Sequence, residues 1–281
     1  MKTAAQKKST GLTILLILGL VTVVFPLYMT IVIALKDPSE MTNQIESLLS
    51  LPQKLNFQNF AEAIRTTDFF HTLANSFLIT AGAVTGVILL NSIAAYAIGR
   101  NMGRSRYFKS IYAYFICGMF VPFSMLMLPL VKEVSLFGLD NRLGLILLYI
   151  VFNMPMNTLL YTGYLKNIPE ALEEAAHIDG AGHWRVYWKV VFPMLKPMHA
   201  TVAIMTALST WNDVMMPLVI LSGGDSRSTT LPLAQLLFQS SFGTNYNVAF
   251  ASYLLALLPI LVFYLFAQRA IINGVTNGAV K

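Results

Sequence analysis

Among the residues able to do chemistry, one acid falls deep inside an apolar run: Asp213, in the tripeptide Trp211-Asn212-Asp213. A carboxylate in hydrocarbon costs at least ~2.5 kcal/mol on insertion scales unless it is paired or wet. The tripeptide offers an aromatic face, an amide and a carboxylate, groups that hold a sugar by stacking and hydrogen bonding, so it is a candidate for a substrate pathway. A structural reading competes with it. Pro217 follows four residues later, and Asn or Asp side chains satisfy backbone groups freed where a helix breaks. Spacing alone does not choose between the two. Metal or covalent chemistry has little to work with. His71, His177, His183 and His199 lack metal-ligand spacing, no His-Glu-x-x-His occurs, and Cys117, the single cysteine, lies in an apolar run where packing is its expected role. Neither a cofactor nor a catalytic role is expected of this chain.

A second candidate is the segment 166–197. It opens Asn167-Ile168-Pro169-Glu170, where Asn167 is expected to cap a helix with Glu170 as its third residue and an early proline that needs no donor. The helix then runs through Glu173, Glu174, Ala175 and Ala176. Asp179-Gly180 supplies a turn, because glycine tolerates the left-handed conformation that ends helices. An amphipathic stretch follows from His183 to Val191, before Pro193 and Pro197. The expectation is a helix-turn-helix.

The elements that position these residues follow from composition. The chain is 56% hydrophobic and 11% charged, against about a quarter charged in soluble domains, so most of it is expected to be solvated by lipid. The gaps between charges mark spans at about 11–35, 73–98, 111–131, 143–165, 198–220 and 248–267, each long enough to cross about 30 Å of hydrocarbon. The first is read as a retained anchor helix: a signal peptide has a shorter core, whereas this run holds Pro26 midway and ends in Lys36-Asp37-Pro38. Alternate connecting segments carry thirteen and six Lys or Arg residues, the larger set including both termini and residues 166–197. By the positive-inside rule both termini and that segment are cytoplasmic, and residues 36–72 form an extracellular cap with short helices. Topology therefore explains the net charge of +6 without nucleic acid. Gly82 and Gly86 form a Gly-x-x-x-Gly pair, read as close helix packing rather than a homodimer motif.

Glu174-Ala175-Ala176, Gly180 and Val190-Val191-Phe192-Pro193 resemble the EAA loop of binding-protein-dependent ABC importer permeases: E-A-A, a glycine, then I-x-L-P. Val190 and Phe192 are conservative departures. The fuller string at 174–182, Glu-Ala-Ala-His-Ile-Asp-Gly-Ala-Gly, is similar to the carbohydrate, MalG-like branch. Asn75-Ser76, Ala94-Ala95-Tyr96-Ala97 with Arg100, Trp211-Asn212-Asp213, Thr230-Leu231-Pro232 and the tail Gly278-Ala279-Val280-Lys281 resemble that branch in the same order. The resemblance implies an all-α integral membrane protein: a single six-transmembrane-helix permease domain over 1–281 with a cytoplasmic EAA coupling helix, in the cell (plasma or inner) membrane.

The same resemblance implies that the EAA helix docks in a groove of a cytoplasmic ATPase. Glu174 would supply an acidic contact or cap, Ala175 and Ala176 would permit close approach, Gly180 would let the chain reverse, and Asp179 and Pro193 would complete the coupling segment. The implied partners are a second homologous permease, two ATPase copies that bind ATP and Mg, an extracellular solute-binding protein, membrane lipid and a carbohydrate, with an oligosaccharide such as an α-galactoside or maltodextrin the guess from the branch. Leu221-Ser222-Gly223-Gly224 matches the start of the ATPase signature, but Asp225 follows and no Gly-x-x-x-x-Gly-Lys-Ser/Thr loop exists, so the match is read as coincidence. A glycerol-phosphate permease of the same branch is the alternative. An ATP-independent secondary transporter fits less well, because Asp213 is nearly alone in the spans.

Overall fold

The computed structural model describes residues 4–41, 45–221, 226–238 and 245–279, and all regular structure among them is helical. Residues 222–225, which hold most of the signature-like string, and residues 280–281 of the tail lie outside the described residues. The helices are α1 (Ala4–Leu35), α2 (Ile45–Leu49), α3 (Gln58–Thr66), α4 (Phe69–Gly86), α5 (Ser92–Asn101), α6 (Arg106–Gly118), α7 (Phe123–Leu136) and α8 (Arg142–Leu165). They continue with α9 (Ala171–Ile178), α10 (His183–Val186), α11 (Phe192–Met194), α12 (Lys196–Asn212), α13 (Met215–Leu221), α14 (Leu231–Ala234) and α15 (Tyr246–Ala279). By contacts the chain forms two units, Met1–Phe70 with Ala234–Pro259 and His71–Leu233 with Ile260–Lys281.

In the first unit, α1 exposes its apolar side chains from residue 11 to 28 and is buried only near its C-terminus. That end must satisfy its last carbonyls without water. Two buried asparagines do so: Asn59 Nδ2 donates to Ala34 O (2.9 Å) and Lys36 O (2.8 Å), and Asn247 Nδ2 to Ile33 O (2.9 Å) and Lys36 O (3.0 Å). Lys36, fully buried, donates through Nζ to Ser47 O and to Ser50 Oγ. Beyond it, Asp37 caps a 3-10 turn by accepting from Ser39 Oγ (2.6 Å) and Ser39 N (3.0 Å), bonds that hold its carboxyl below the ordinary aspartate value. Ala34, Ala63, Val248 and Ala251 form the core under these caps.

In the second unit, α4 passes through a π-helical turn (Val87–Asn91) into α5, so the second span runs over Phe69–Asn101, longer than the expected 73–98. The extra residue of a π turn leaves polar groups to satisfy. Asn91 Nδ2 donates to Ile150 O at 3.3 Å, and Ser92 Oγ bonds Ile88 O and, at 2.6 Å, Tyr187 Oη. The Gly-x-x-x-Gly pair finds its partner within the chain: a Cβ on Gly82 would stand 2.7 Å from Ile146 Cδ1, and one on Gly86 would run into the Ile150 side chain. The glycines thus seat α4 against α8.

Two expected spans depart from straight helices. The stretch 111–131 is not one helix: α6 and α7 meet at 103°, because Pro122 brings no donor and adopts an extended conformation. The stretch 198–220 breaks at Asp213-Val214 between α12 and α13, and α12 itself is bent by 74° from the helix 183–194 before it. The last span, expected at 248–267, lies within the longer α15. Among the described residues, four helices are long and apolar enough to cross a membrane, or up to six if each bent pair counts as one. Cys117 is exposed on α6 rather than packed, since the bend there leaves α6 without buried residues.

Gly144 supplies a direct test of the α8 start. Asn141 caps that helix, accepting from Leu143 N (3.0 Å) and Gly144 N (3.2 Å), and a Cβ on Gly144 would overlap the Leu139 backbone carbonyl. Backbone cannot step aside as a side-chain tip can. Gly144→Ala is therefore expected to lower detergent-solubilised stability by about 1–3 kcal/mol, the usual range for overpacking, read as a fall in thermal midpoint. An unchanged midpoint would contradict the close approach.

Candidate functional site: a clamped hairpin and a broken span

The segment after α8 cannot continue as helix, because a residue before proline is pushed out of the α region and Ile168 precedes Pro169. Helix α9 accordingly begins at Ala171 with Glu170 as its N-cap, three residues beyond the expected Asn167 cap. The Glu170 carboxylate makes no cap bond and instead meets Arg104 NH2 at 2.7 Å. At its other end α9 closes through two bonds: Ala181 N to Ala176 O (2.9 Å) and Gly180 N to His177 O (3.0 Å). With Gly180 at φ +80° this is a Schellman motif, with Asp179 at the C-cap. Ala176 and Ala181 both pack on the core, the hydrophobic contact that accompanies such an ending.

The chain then returns through α10, a π turn (Tyr187–Val191) and α11. Val186, Tyr187, Val191 and Leu195 enter one core with Val87, Ala95, Tyr161, Leu165 and Ile168, so the returning limb is packed into the spans. At the elbow into α12, His199 Nε2 lies 3.1 Å from Phe192 O and Nδ1 2.8 Å from Tyr161 Oη. An imidazole that donates through Nε2 and accepts at Nδ1 fits both contacts. Pro193 is exposed at the start of α11.

The residues that fix α9 are ones the sequence reading did not pair. Glu173, with a side chain 11% exposed, turns inward. Its Oε1 accepts from Arg100 Nε (2.7 Å) and also lies 2.7 Å from Arg100 NH2, while Oε2 accepts from Tyr96 Oη (2.7 Å). Arg100 further donates through NH1 to Leu165 O (3.1 Å) and through NH2 to Ile168 O (2.9 Å), covering carbonyls at the end of α8. One guanidinium thus joins α5, α8 and α9, a geometry suited to its planar fork of donors. A signal existed: Tyr96 and Arg100 lie four apart on one face of α5, Arg104 follows four residues later just past its end, and Glu170 and Glu173 answer three apart. The neighbouring residues face the other way. Glu174, Ala175, Asp179 and Gly180 are exposed and Ala176 is half-buried, so the two adjacent glutamates divide between the protein interior and the surface.

The Trp211-Asn212-Asp213 tripeptide sits at the break between α12 and α13, and its side-chain bonds go to Tyr149, Leu208, Met215 and Met216 rather than to the hairpin. Asp213 Oδ1 accepts from Met215 N (2.9 Å) and Met216 N (3.4 Å), capping α13, and Oδ2 accepts from Tyr149 Oη (2.9 Å). Trp211 is half-buried, and exposed Asn212 donates to Leu208 O at 2.8 Å. This engages the carboxylate as the structural reading described. Asp213→Asn keeps an acceptor for the cap and can still bond Tyr149 with the direction reversed, its Nδ2 donating to Tyr149 Oη, whereas Asp213→Ala removes both bonds, a loss of about 1–3 kcal/mol. The expected result is a near-native thermal midpoint for the asparagine variant and a lowered one for alanine. A transport defect in Asp213→Asn at native midpoint would instead assign the charge itself to the solute path.

Apolar helices, two pairs of them joined across sharp bends, with a hairpin clamped to span ends, define an all-helical membrane-protein class. The fold is shared with the crystal structure of a bacterial ABC transporter involved in the import of the acidic polysaccharide alginate, with TM-score 0.75 and 20% identity over 96% of this chain and 99% of that one. The chain belongs to the binding-protein-dependent transport system inner membrane component family, whose pattern matches residues 87–277. Among its relatives, the multiple sugar-binding transport system permease protein MsmG of Streptococcus mutans is 40% identical, covering 95% of both chains. The probable starch degradation products transport system permease protein AmyC of Thermoanaerobacterium thermosulfurigenes is 34% identical over 91% of both. The melibiose/raffinose/stachyose import permease protein MelC of Bacillus subtilis is 30% identical over the full length of both. This chain is therefore a multi-pass permease subunit of a binding-protein-dependent transport system.

Proposed function

We propose that the chain conducts a sugar, in the oligosaccharide range, through an ATP-driven importer, and that the hairpin 166–197 is the surface on which a separate ATPase acts. The observation that carries the reading is the division of the two glutamates: Glu173 ties α9 to the spans through Arg100, and Glu174 stands outward beside Ala175. A short helix fixed to two spans can pass force across a non-covalent interface only if its outer face is free for a partner. The names of the relatives support a sugar as the solute. The thirteen-to-six distribution of basic residues supports cytoplasmic termini and a cytoplasmic hairpin. ATP and Mg bind the ATPase pair, not this chain, which has no catalytic role. A second permease completes the pathway, and a solute-binding protein delivers the sugar on the opposite face near residues 36–72 and 221–247. ATPase closure presses the coupling helices together and turns the pathway outward; hydrolysis returns it inward.

Reconstitution of the permease pair, the ATPase and the binding protein in vesicles, with labelled raffinose or maltotriose, tests this. Uptake requiring both internal ATP and the binding protein is the expected result. Uptake that persists without ATP and responds to an ion gradient would move the assignment to secondary transport.

A further inference from the structure

We propose that this permease holds an anionic phospholipid headgroup in a basic cavity beside the hairpin. Between the end of α5, the start of α6 and the end of α8 lies a cavity of about 840 Å³ lined by Arg100, Arg104, Arg106, Lys109 and Lys166. Two of these cations are already answered, Arg100 by Glu173 and Arg104 by Glu170. Arg106, Lys109 and Lys166 have no acidic partner among the described residues, which leaves the cavity with an excess of three positive charges. Topology accounts for basic residues on this side of the membrane, but not for their gathering around one cavity.

The local structure points to a phosphate. Arg106, Lys109 and Tyr112 recur at intervals of three on α6, which aligns them on one face, and all three line the cavity. Helix α6 is thirteen residues long and begins there, with Ser105 at its N-cap making no side-chain cap bond and no acid in its first turn. Its N-terminus thus adds unfilled donors and a positive dipole end to the same wall. A lipid is favoured over a soluble anion because the cavity sits where spans end, and α6 exposes Tyr107 and Tyr114, the residue type that lies at headgroup level. The choice of leaflet rests on the proposed cytoplasmic side of the hairpin; the binding itself does not.

The test uses the full permease pair with its ATPase, in phosphatidylcholine nanodiscs doped with phosphatidylglycerol, and native mass spectrometry to read lipid retained after detergent extraction. The wild type is expected to retain phosphatidylglycerol selectively. In Arg106→Ala/Lys109→Ala/Lys166→Ala, which spares Arg100 and Glu173, apparent affinity should fall about a hundredfold. Lys109→Arg/Lys166→Arg, which changes two of the same side chains but keeps their charge, should keep wild-type affinity, separating charge from misfolding. Equal retention in wild type and triple variant would overturn the proposal, as would displacement of the lipid by inorganic phosphate at comparable concentration, which would mark a soluble-anion site. Loss of the ATPase from the triple variant with lipid retention unchanged would make the cavity a protein contact and likewise overturn it. Glu174→Arg in the same assay should leave lipid retention untouched, so failure of the ATPase-docking reading and failure of this one are distinguishable.

Discussion

Arg100→Ala is expected to free the hairpin 166–197 from the spans while leaving the spans inserted. The substitution strands Glu173 in a largely buried position with the Tyr96 hydroxyl still donating to it, and strips donors from the carbonyls of Leu165 and Ile168. Removing one partner of a buried ion pair costs roughly 3–5 kcal/mol, because the other charge is left uncompensated. The loss is local, since Arg100 bonds only the ends of α8 and α9 and the residues between them. Amide exchange in 171–195 should therefore accelerate by about a hundredfold or more, with little change in α4 or in the membrane part of α8. Coupled transport should fall with it. Arg100→Lys keeps a charge but cannot reach the carboxylate and both carbonyls at once, so it should lie between. Exchange in 171–195 unaltered by Arg100→Ala would show that the apolar packing of Val186, Tyr187 and Val191 holds the hairpin without the clamp.

Gly180→Val is expected to spoil the reversal of the chain without any steric clash. Nothing lies within 4 Å of the position a Cβ would take, so the penalty comes from the backbone alone: φ is +80°, which a β-branched residue strongly disfavours. A non-glycine held there costs of order 1–3 kcal/mol. Gly180→Ala should sit at the mild end and Gly180→Val near the upper end. Gly180→Pro should be worse than either, since proline fixes φ near −65° and deletes the donor to His177 O. The order Ala, Val, Pro in loss of ATP-dependent uptake, with membrane insertion retained, is the expected outcome. Equal activity of all four proteins would exclude the left-handed turn as a requirement.

The places where sequence reading succeeded and failed have physical causes. The apolar runs and the turn at Asp179-Gly180 were legible because each depends on a local property, hydrocarbon length in one case and permitted φ in the other. The bends were not. Pro122 lies inside an apolar run in the same way as Pro26 and Pro155, yet only Pro122 accompanies a 103° change of direction, because the latter two remain inside continuous helices. Position within a helix, which decides whether a missing donor is tolerated, is a property of the packed chain. The Asn167 cap failed for a more local reason, the restriction that Pro169 places on Ile168. The role of Glu173 is not legible beside the Glu174 motif because the clamp is a tertiary pairing across more than seventy residues of chain. Asp213 carries two possible roles in the sequence, and its bonds to Met215, Met216 and Tyr149 engage the carboxylate in capping the break, a tertiary arrangement that spacing does not contain.

The central claim, that the outward face of α9 receives an ATPase, is tested most directly by mass spectrometry of what copurifies with the tagged chain from native membranes in mild detergent. Wild type should be compared with Glu174→Arg, which reverses the exposed charge and leaves Glu173 and Arg100 in place. Recovery of a second permease and an ATPase with the wild type, and selective loss of the ATPase with the variant, is the predicted result. A lone chain, or an ATPase recovered equally with both, would contradict it.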